Sequence, residues 1–172
     1  MASRAERRAL AEAPRGTARL SVSVAAKVSR RRALAVLGVE ERGAWLGELV
    51  EAEDLGERER HLVDLELRVS EQTPRITFRK AAYVEVGPVR APQQQPITVG
   101  ISWRAAGLAP LFPVFSGTLR WADGELSLDG YYAPPGGGIG IIADRLLLNV
   151  AARGTARLLL ERIAAAMRGD AI

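Results

Sequence analysis

The chain has 172 residues, the size of one domain, and its 48% hydrophobic and 26% charged residues exclude a disordered protein. The net charge is +4, but four arginines and two glutamates in residues 1–16 supply half of it, so no basic patch for nucleic acid is predicted on the folded part. The absence of cysteine excludes disulfides, thiolate metal sites and a cysteine nucleophile.

The N-terminal residues 1–16 are predicted to form a flexible extension, followed by one folded domain over residues 17–168. No apolar run approaches the ~18 residues of a membrane span. No apolar segment follows the N-terminal arginines, as it would in a secretory signal. We therefore expect a cytoplasmic protein without a membrane span.

The first elements are a strand and two short helices. Residues 17–25 alternate between apolar and polar, which predicts a half-buried strand. Ser29 is a candidate N-cap for a short helix that ends before Gly38, and a second short helix is expected over residues 40–45. Residues 30–32 are three arginines, for which we favour a solvated basic turn over an anion site.

Six further strands are separated by turn signals, and residues 87–96 are expected to form a loop. Asp123-Gly124 is a strong hairpin signal between the last two strands. Lys80 interrupts an apolar face and is placed either at the sheet rim or inside a cavity. The predicted strands cover residues 49–54, 61–69, 76–86, 97–105, 115–121 and 126–132.

The segment 141–167 contains no proline and predicts one long helix. Polar residues recur every four positions along it: Arg145, Asn149, Arg153, Arg157 and Glu161. The opposite side is largely apolar: Leu147, Leu148, Ala151, Thr155, Leu158 and Leu159. Such a helix needs an apolar surface, and consecutive strands with short connections supply an antiparallel sheet with one buried face.

The order of strand, two short helices, six strands and long helix resembles the START/Bet v1-like (SRPBCC) superfamily. The sequence GYYAPP at 130–135, a glycine-rich turn and ADRLLL at 143–148 are similar to the last strand and final helix of its bacterial members. The resemblance implies an α+β helix-grip fold. In that fold a curved antiparallel sheet of about seven strands wraps the C-terminal helix, leaving a cavity for a small apolar ligand.

The inner face of the predicted sheet carries the candidate ligand-binding residues, for which an ordinary filled core is an equal alternative. Tyr132 and the indole nitrogens of Trp103 and Trp121 would be its polar anchors. The candidate set is Phe78, Val84, Ile101, Trp103, Leu119, Trp121, Leu128, Tyr132 and Leu148.

Catalytic candidates are weak and consist of His61, Lys80 and Tyr132. His61, the only histidine, shares strand parity with Val63, but a partly exposed position at the strand end is favoured over a general base. On the outer face, Asp64 and Glu66 are expected to pair with arginines on a neighbouring strand rather than perform acid/base chemistry.

No metal or cofactor is predicted. One histidine without cysteine argues against zinc. The GxGxxA spacing at 138–143 follows an antiparallel hairpin rather than a βαβ unit, so a dinucleotide site is not expected.

Three functions stay open from the sequence. The first is non-catalytic binding or carriage of a small apolar molecule, because no catalytic constellation is assembled. The second is a polyketide cyclase/dehydratase-like enzyme, in which His61, Lys80 or Tyr132 polarises a carbonyl. The third is a protein-interaction module that uses the sheet edge or the arginine-rich helix stripe.

Overall fold

A computed structural model of the protein describes residues 16–50, 56–68, 77–107, 114–133 and 145–170. The N-terminal extension up to residue 15, the glycine-rich turn and the GxGxxA segment lie outside the described residues. The boundaries of the extension and of the folded domain therefore stay predictions.

The described elements follow the predicted order, and the α+β helix-grip class is confirmed. The seven strands form one antiparallel sheet in the order β1-β7-β6-β5-β4-β3-β2. The elements are β1 (Ala18–Ala25), α1 (Arg30–Leu37), a 3₁₀ helix (Val39–Ala44), β2 (Glu48–Val50), β3 (Glu59–Arg68), β4 (Thr77–Arg90), β5 (Ile97–Ala105), β6 (Val114–Ala122), β7 (Glu125–Ala133) and α2 (Arg145–Arg168).

Strand β4 is longer than the sequence predicts, because it continues through Arg90. The expectation that a loop begins at Gly87 is wrong. Pairing runs from Val86 opposite Ile101 to Val89 opposite Val99, so an extra residue is absorbed in a β-bulge. Pro88 cannot donate to a strand ladder, and a bulge is where a strand tolerates proline. Gly87 and Pro88 therefore bend the strand instead of ending it.

The hairpin between β6 and β7 confirms the turn prediction. Asp123 and Gly124 have φ angles of 51° and 77°, which is the backbone of a two-residue type I′ turn. This turn fixes the strand register, so that Leu119 lies opposite Leu128 and Trp121 lies opposite Leu126. All four of these side chains are buried on the inner face, as predicted.

Two paired glycines let an aromatic ring lie flat on the sheet. Gly117 of β6 lies opposite Gly130 of β7. A Cβ at Gly117 would lie 2.6 Å from the Phe115 ring, and one at Gly130 would lie 2.8 Å from it. Trp103 stacks on Phe115 with 4.2 Å between ring centroids. The glycines thus make room for an aromatic layer on the inner face.

Helix α2 packs across the inner face against β1, β3 and β7. Its predicted polar stripe is confirmed over the described side chains, because Arg153, Arg157 and Glu161 are exposed. Hydrogen bonds of 3.1 Å from Arg153 to Asn149 and 3.0 Å from Arg157 to Glu161 run along this stripe. The opposite side is buried and rich in alanine: Ala151, Ala152, Thr155, Ala156, Leu159, Leu160, Ile163, Ala164, Ala166 and Met167. Small side chains bring the helix close to the sheet.

The first turn of α1 is only partly the predicted solvated basic turn, because Arg31 is exposed while Arg30 and Arg32 are half-buried. Arg32 donates to the carbonyl oxygens of Met167 and Ala166 at 3.0 and 2.8 Å, and also to the Glu41 carboxylate. Arg30 donates to backbone carbonyls in the β4–β5 loop. The guanidinium of Arg32 therefore caps the C-terminus of α2, where backbone carbonyls lack helical partners.

The N-cap of α1 is Ser29, as predicted. Its hydroxyl accepts a hydrogen bond from the backbone N–H of Arg32 at 3.2 Å. The helix ends before Gly38, also as predicted, although Gly38 adopts an extended conformation rather than the left-handed one.

Candidate functional site

A cleft opens where the edge of β3 faces the C-terminal half of α2. Strand β2 has three residues and pairs only with the start of β3, from Arg60 to Leu62. Beyond Leu62, no other described strand covers this edge of β3. The short edge strand therefore leaves space between the sheet and the helix.

The cleft has a volume of about 520 Å³. Ligand pockets in proteins usually measure about 300–1,000 Å³, so the space suits a small organic molecule. It is lined by Asp64, Leu65, Arg79, Thr155, Leu158, Leu159, Glu161, Arg162 and Ala165.

The floor of the cleft is mainly apolar. Leu65 and Leu159 are buried, and Leu158 and Ala165 are half-buried beside them. Leu65 comes from the inner face of β3, and the others come from successive turns of α2. The inner face of β3 and the apolar side of α2 therefore form one apolar surface.

A hydroxyl without a partner lies in this floor. Thr155 is only 1% exposed, and its Oγ1 makes no hydrogen bond. In helices such a hydroxyl often bonds the carbonyl of the preceding turn, but here it does not. A buried polar group without a partner costs about 1–3 kcal/mol.

Arg162 also lacks a partner in the cleft. Its Nε is buried without a hydrogen bond, although the side chain as a whole is half-buried. The neighbouring Glu161 carboxylate is paired with Arg157 at 3.0 Å on the exposed stripe. The cleft therefore combines an apolar floor with a hydroxyl and a guanidinium that no described side chain satisfies.

The predicted ligand-binding residues lie elsewhere on the inner face. Strand pairing places Val84 opposite Trp103, and Tyr132 opposite Phe115. The side chains of Phe78 and Leu148 lie outside the described set. The remaining predicted residues are all buried: Val84, Ile101, Trp103, Leu119, Trp121, Leu128 and Tyr132. None of them lines the cleft. Their assignment to a ligand stays a prediction.

The polar groups of the three expected anchors have different surroundings. Trp121 Nε1 donates to the carbonyl of Ala26 at 3.0 Å, so it holds the fold. Trp103 Nε1 is buried without a partner. Burial raises the pKa of the Tyr132 hydroxyl, and the positive charge of Arg153 offsets part of that rise.

His61 belongs to a buried polar cluster rather than to a partly exposed strand end. It is 5% exposed, and its Nδ1 lies 3.3 Å from the carbonyl oxygen of Gly47. Its Nε2 lies 3.4 Å from Glu59 Oε2, which accepts a 2.8 Å hydrogen bond from Arg42. His61 is not among the residues that line the cleft.

Arg42 is the centre of that cluster, which the sequence reading missed. It is 2% exposed, and it donates to the carbonyls of Leu37 and Gly87 as well as to Glu59. Burial raises the pKa of Glu59. The hydrogen bonds and charges of Arg42 and His61 together lower that pKa by more than burial raises it, so it lies below its ordinary value. The cluster ties the 3₁₀ helix to β3 and to the bulge of β4.

An ion pair that was not predicted joins β3 and β4 on the outer face, and the expected pairing of Glu66 stays a prediction. Arg60 of β3 forms a 2.7 Å ion pair with Glu85 of β4. Arg60 and Arg104 both lie over the Tyr83 ring. Asp64 is exposed and lines the cleft instead, while the side chain of Glu66 lies outside the described set. Lys80 is half-buried opposite Leu65.

Sequence reasoning did not single out the cleft residues as functional, and Thr155 and Arg162 are the two that matter most to the site. They are seven positions apart, which places them on one side of a helix, two turns from each other. Arg162 stands outside the four-residue polar stripe, and that break in the periodicity was the available signal.

The described residues contain neither a candidate metal site nor a candidate membrane-spanning helix. They contain no group of three or more His, Asp or Glu side chains placed to hold a metal ion. None of the helices described has the length and apolar character needed to span a membrane.

Comparison with known proteins gives structural similarities at low identity and low TM-score. No protein-family model matches the chain, and no curated protein matches it. DynU16, from the dynemicin biosynthetic locus, is similar over 92% of this chain, at 18% identity and a TM-score of 0.43; this chain spans about half, 49%, of its length.

Two further solved structures are similar. A conserved protein from Geobacillus kaustophilus is 12% identical at a TM-score of 0.46, over 89% of this chain and 95% of its own. The protein encoded by gene BPP1335 of Bordetella parapertussis is 18% identical at a TM-score of 0.33, over 94% and 79%. The helix-grip assignment rests on the chain's own sheet order and helix placement, and the superfamily stays a prediction.

Proposed function

We propose that the protein binds or carries a small, largely apolar molecule in the cleft between β3 and α2. The observation that carries this proposal is the open space of about 520 Å³ over a floor of buried leucines. Removal of apolar surface from water is favourable by about 25 cal/mol per Å², so such a floor favours a hydrocarbon or aromatic ligand.

The unpartnered groups in the cleft support a binding role. The hydroxyl of Thr155 and the Nε of Arg162 stay unsatisfied in the protein alone. A structural core normally pairs such groups, because each unpaired one is unfavourable. A ligand that supplies partners to these groups would remove that cost. The predicted inner-face residues around Trp103 are a proposed extension of this site.

A filled cleft tests the proposal. Ala165 is half-buried in the cleft, and Ala165→Phe places a ring in the ligand space. Ala35→Phe is the matched control, since Ala35 is half-buried on α1 and does not line the cleft. The uncharged dye Nile red is titrated into each full-length protein, and native mass spectrometry of the wild type detects any co-purified small molecule.

We expect Ala165→Phe to weaken dye binding at least tenfold and Ala35→Phe to leave it within twofold. Equal binding by the two variants, together with no retained molecule in the wild type, would refute ligand binding in this cleft. Circular dichroism confirms that both variants keep the fold.

A cyclase/dehydratase-like enzyme is the second candidate, and the contact between His61 and Glu59 is the observation that favours it. It ranks second because both ring nitrogens already face acceptors in a site that is 5% exposed. An interaction module ranks third, since the exposed large apolar residues within the described ranges are spread over separate elements: Leu34, Val39, Leu49, Leu62 and Val114.

A further inference from the structure

We infer that the ligand of this cleft carries a carboxylate, and that the guanidinium of Arg162 binds it. The inference rests on the proposed function and specifies the class of ligand: a small organic acid with an apolar body. The body would lie on the leucines of the floor, and the acidic group would lie at the Arg162 end.

Arg162 is available for an anion because its own helix gives it no acidic partner. The positions three and four residues away on either side are Leu158, Leu159, Ala165 and Ala166. Within a helix, ion pairs form at those spacings. The adjacent Glu161 is already held by Arg157, 3.0 Å away. The helix therefore supplies no counter-charge for Arg162 at these spacings.

The guanidinium belongs to a side chain of the cleft lining. Arg162 is half-buried there, and its Nε is buried without a hydrogen bond. A planar guanidinium matches a carboxylate with two parallel hydrogen bonds, and such charge-assisted bonds strengthen away from water. Half-burial of Arg162 reduces the competition from solvent.

Three other charged groups lie in the lining: Asp64, Arg79 and Glu161. Arg79 already has an interaction of its own, so it is not a free positive charge. Asp64 and Glu161 are exposed carboxylates, so water screens their repulsion of an anionic ligand, and Glu161 is also paired with Arg157. The half-buried guanidinium of Arg162 is therefore the group assigned to the ligand anion.

Thr155 sets the length of the ligand. It lies seven residues before Arg162 along α2, which corresponds to about 10 Å at about 1.5 Å per residue. A medium-length alkyl or aryl acid bound at Arg162 extends along the leucines toward this hydroxyl. Decanoic acid and decan-1-ol, which share one chain and differ in the head group, form a matched pair of probes.

The test measures the affinity of the full chain for each probe near pH 7, where the carboxylate is ionised. Titration calorimetry is performed on the wild type, on Arg162→Met and on Arg162→Lys. Arg153→Met is the control, because Arg153 is an exposed arginine of the same helix that does not line the cleft. Methionine keeps the apolar stem of arginine and removes the charge.

We expect the wild type to bind decanoate at least tenfold more tightly than decanol. Arg162→Met should lower the affinity for decanoate at least tenfold and leave the affinity for decanol within twofold. Arg162→Lys should lower the affinity for decanoate by less, and Arg153→Met should change neither affinity. In the wild type, higher ionic strength should also reduce the preference for decanoate, which keeps the inference testable if Arg162→Met does not fold.

Equal affinities of the wild type for the two probes, with no effect of Arg162→Met or of salt, would overturn the carboxylate inference and leave the apolar site standing. If neither probe binds and Nile red does not bind either, the proposed function fails as well. The two failures are thus told apart by the decanol and dye titrations.

Discussion

Replacement of Arg42 by methionine should destabilise the protein strongly. The guanidinium is 2% exposed and bonds the carbonyls of Leu37 and Gly87 and the Glu59 carboxylate. Its removal leaves Glu59, whose side chain is 26% exposed, without its main counter-charge. Breaking a buried pair by removing one partner costs about 3–5 kcal/mol. For a chain of this size that corresponds to a fall in Tm of about 6–20 °C.

Urea denaturation measures the effect, with an unchanged m-value as the sign that the same surface unfolds. Arg157→Met is the control, because that arginine is 63% exposed and its pair with Glu161 is worth under about 1 kcal/mol. A double-mutant cycle with Glu59→Gln isolates the coupling of the pair from the two carbonyl contacts.

The stability difference between the wild type and Arg42→Met should depend on pH. Because the folded-state pKa of Glu59 lies below its ordinary value of 4.5, its ionised form stabilises the fold above that value. This contribution is lost as the pH falls through the folded-state pKa. The difference in free energy of unfolding between the wild type and Arg42→Met should therefore become smaller at acidic pH. A loss below about 1 kcal/mol at neutral pH would refute a stabilising role for the cluster.

Two further substitutions test the site and the sheet. Thr155→Val keeps the shape of the side chain and removes an unpartnered buried hydroxyl, so it should raise the free energy of unfolding by about 1 kcal/mol in urea. Gly117→Ala should lower it by about 1–3 kcal/mol, because the added Cβ would lie 2.3 Å from the Asp129 carbonyl oxygen and 2.6 Å from the Phe115 ring. Gly100→Ala is the control, with no atom within 4 Å of its added Cβ.

A destabilising Thr155→Val would mean that the hydroxyl has a partner in solution, and the argument from unsatisfied groups would fail. Equal stability of Gly117→Ala and Gly100→Ala would show that Phe115 does not need the glycine pair beneath it.

The sequence by itself determined the elements and their order, because those depend on local periodicity. Alternation along β5 gave both of its ends, Ile97 and Ala105, correctly. The Asp123-Gly124 turn fixed a hairpin register through backbone conformation alone. The four-residue polar stripe of α2 identified its solvent side. The pattern failed at Gly87 and Pro88, where pairing with β5 continues the strand through a bulge.

Only the tertiary structure decided which side chains meet across long separations. Arg32 reaches the C-terminus of α2, and Arg42 joins Glu59 and Gly87, although nothing in their neighbourhoods distinguishes them from solvated arginines. The cleft lies beside the part of β3 after Leu62, which is opposite Glu48, the first residue of β2. Strand alternation and helical period assign a residue to a face, but the separation between the two faces depends on where each element ends. Because of that separation, Thr155 and Arg162 lie in a candidate binding site.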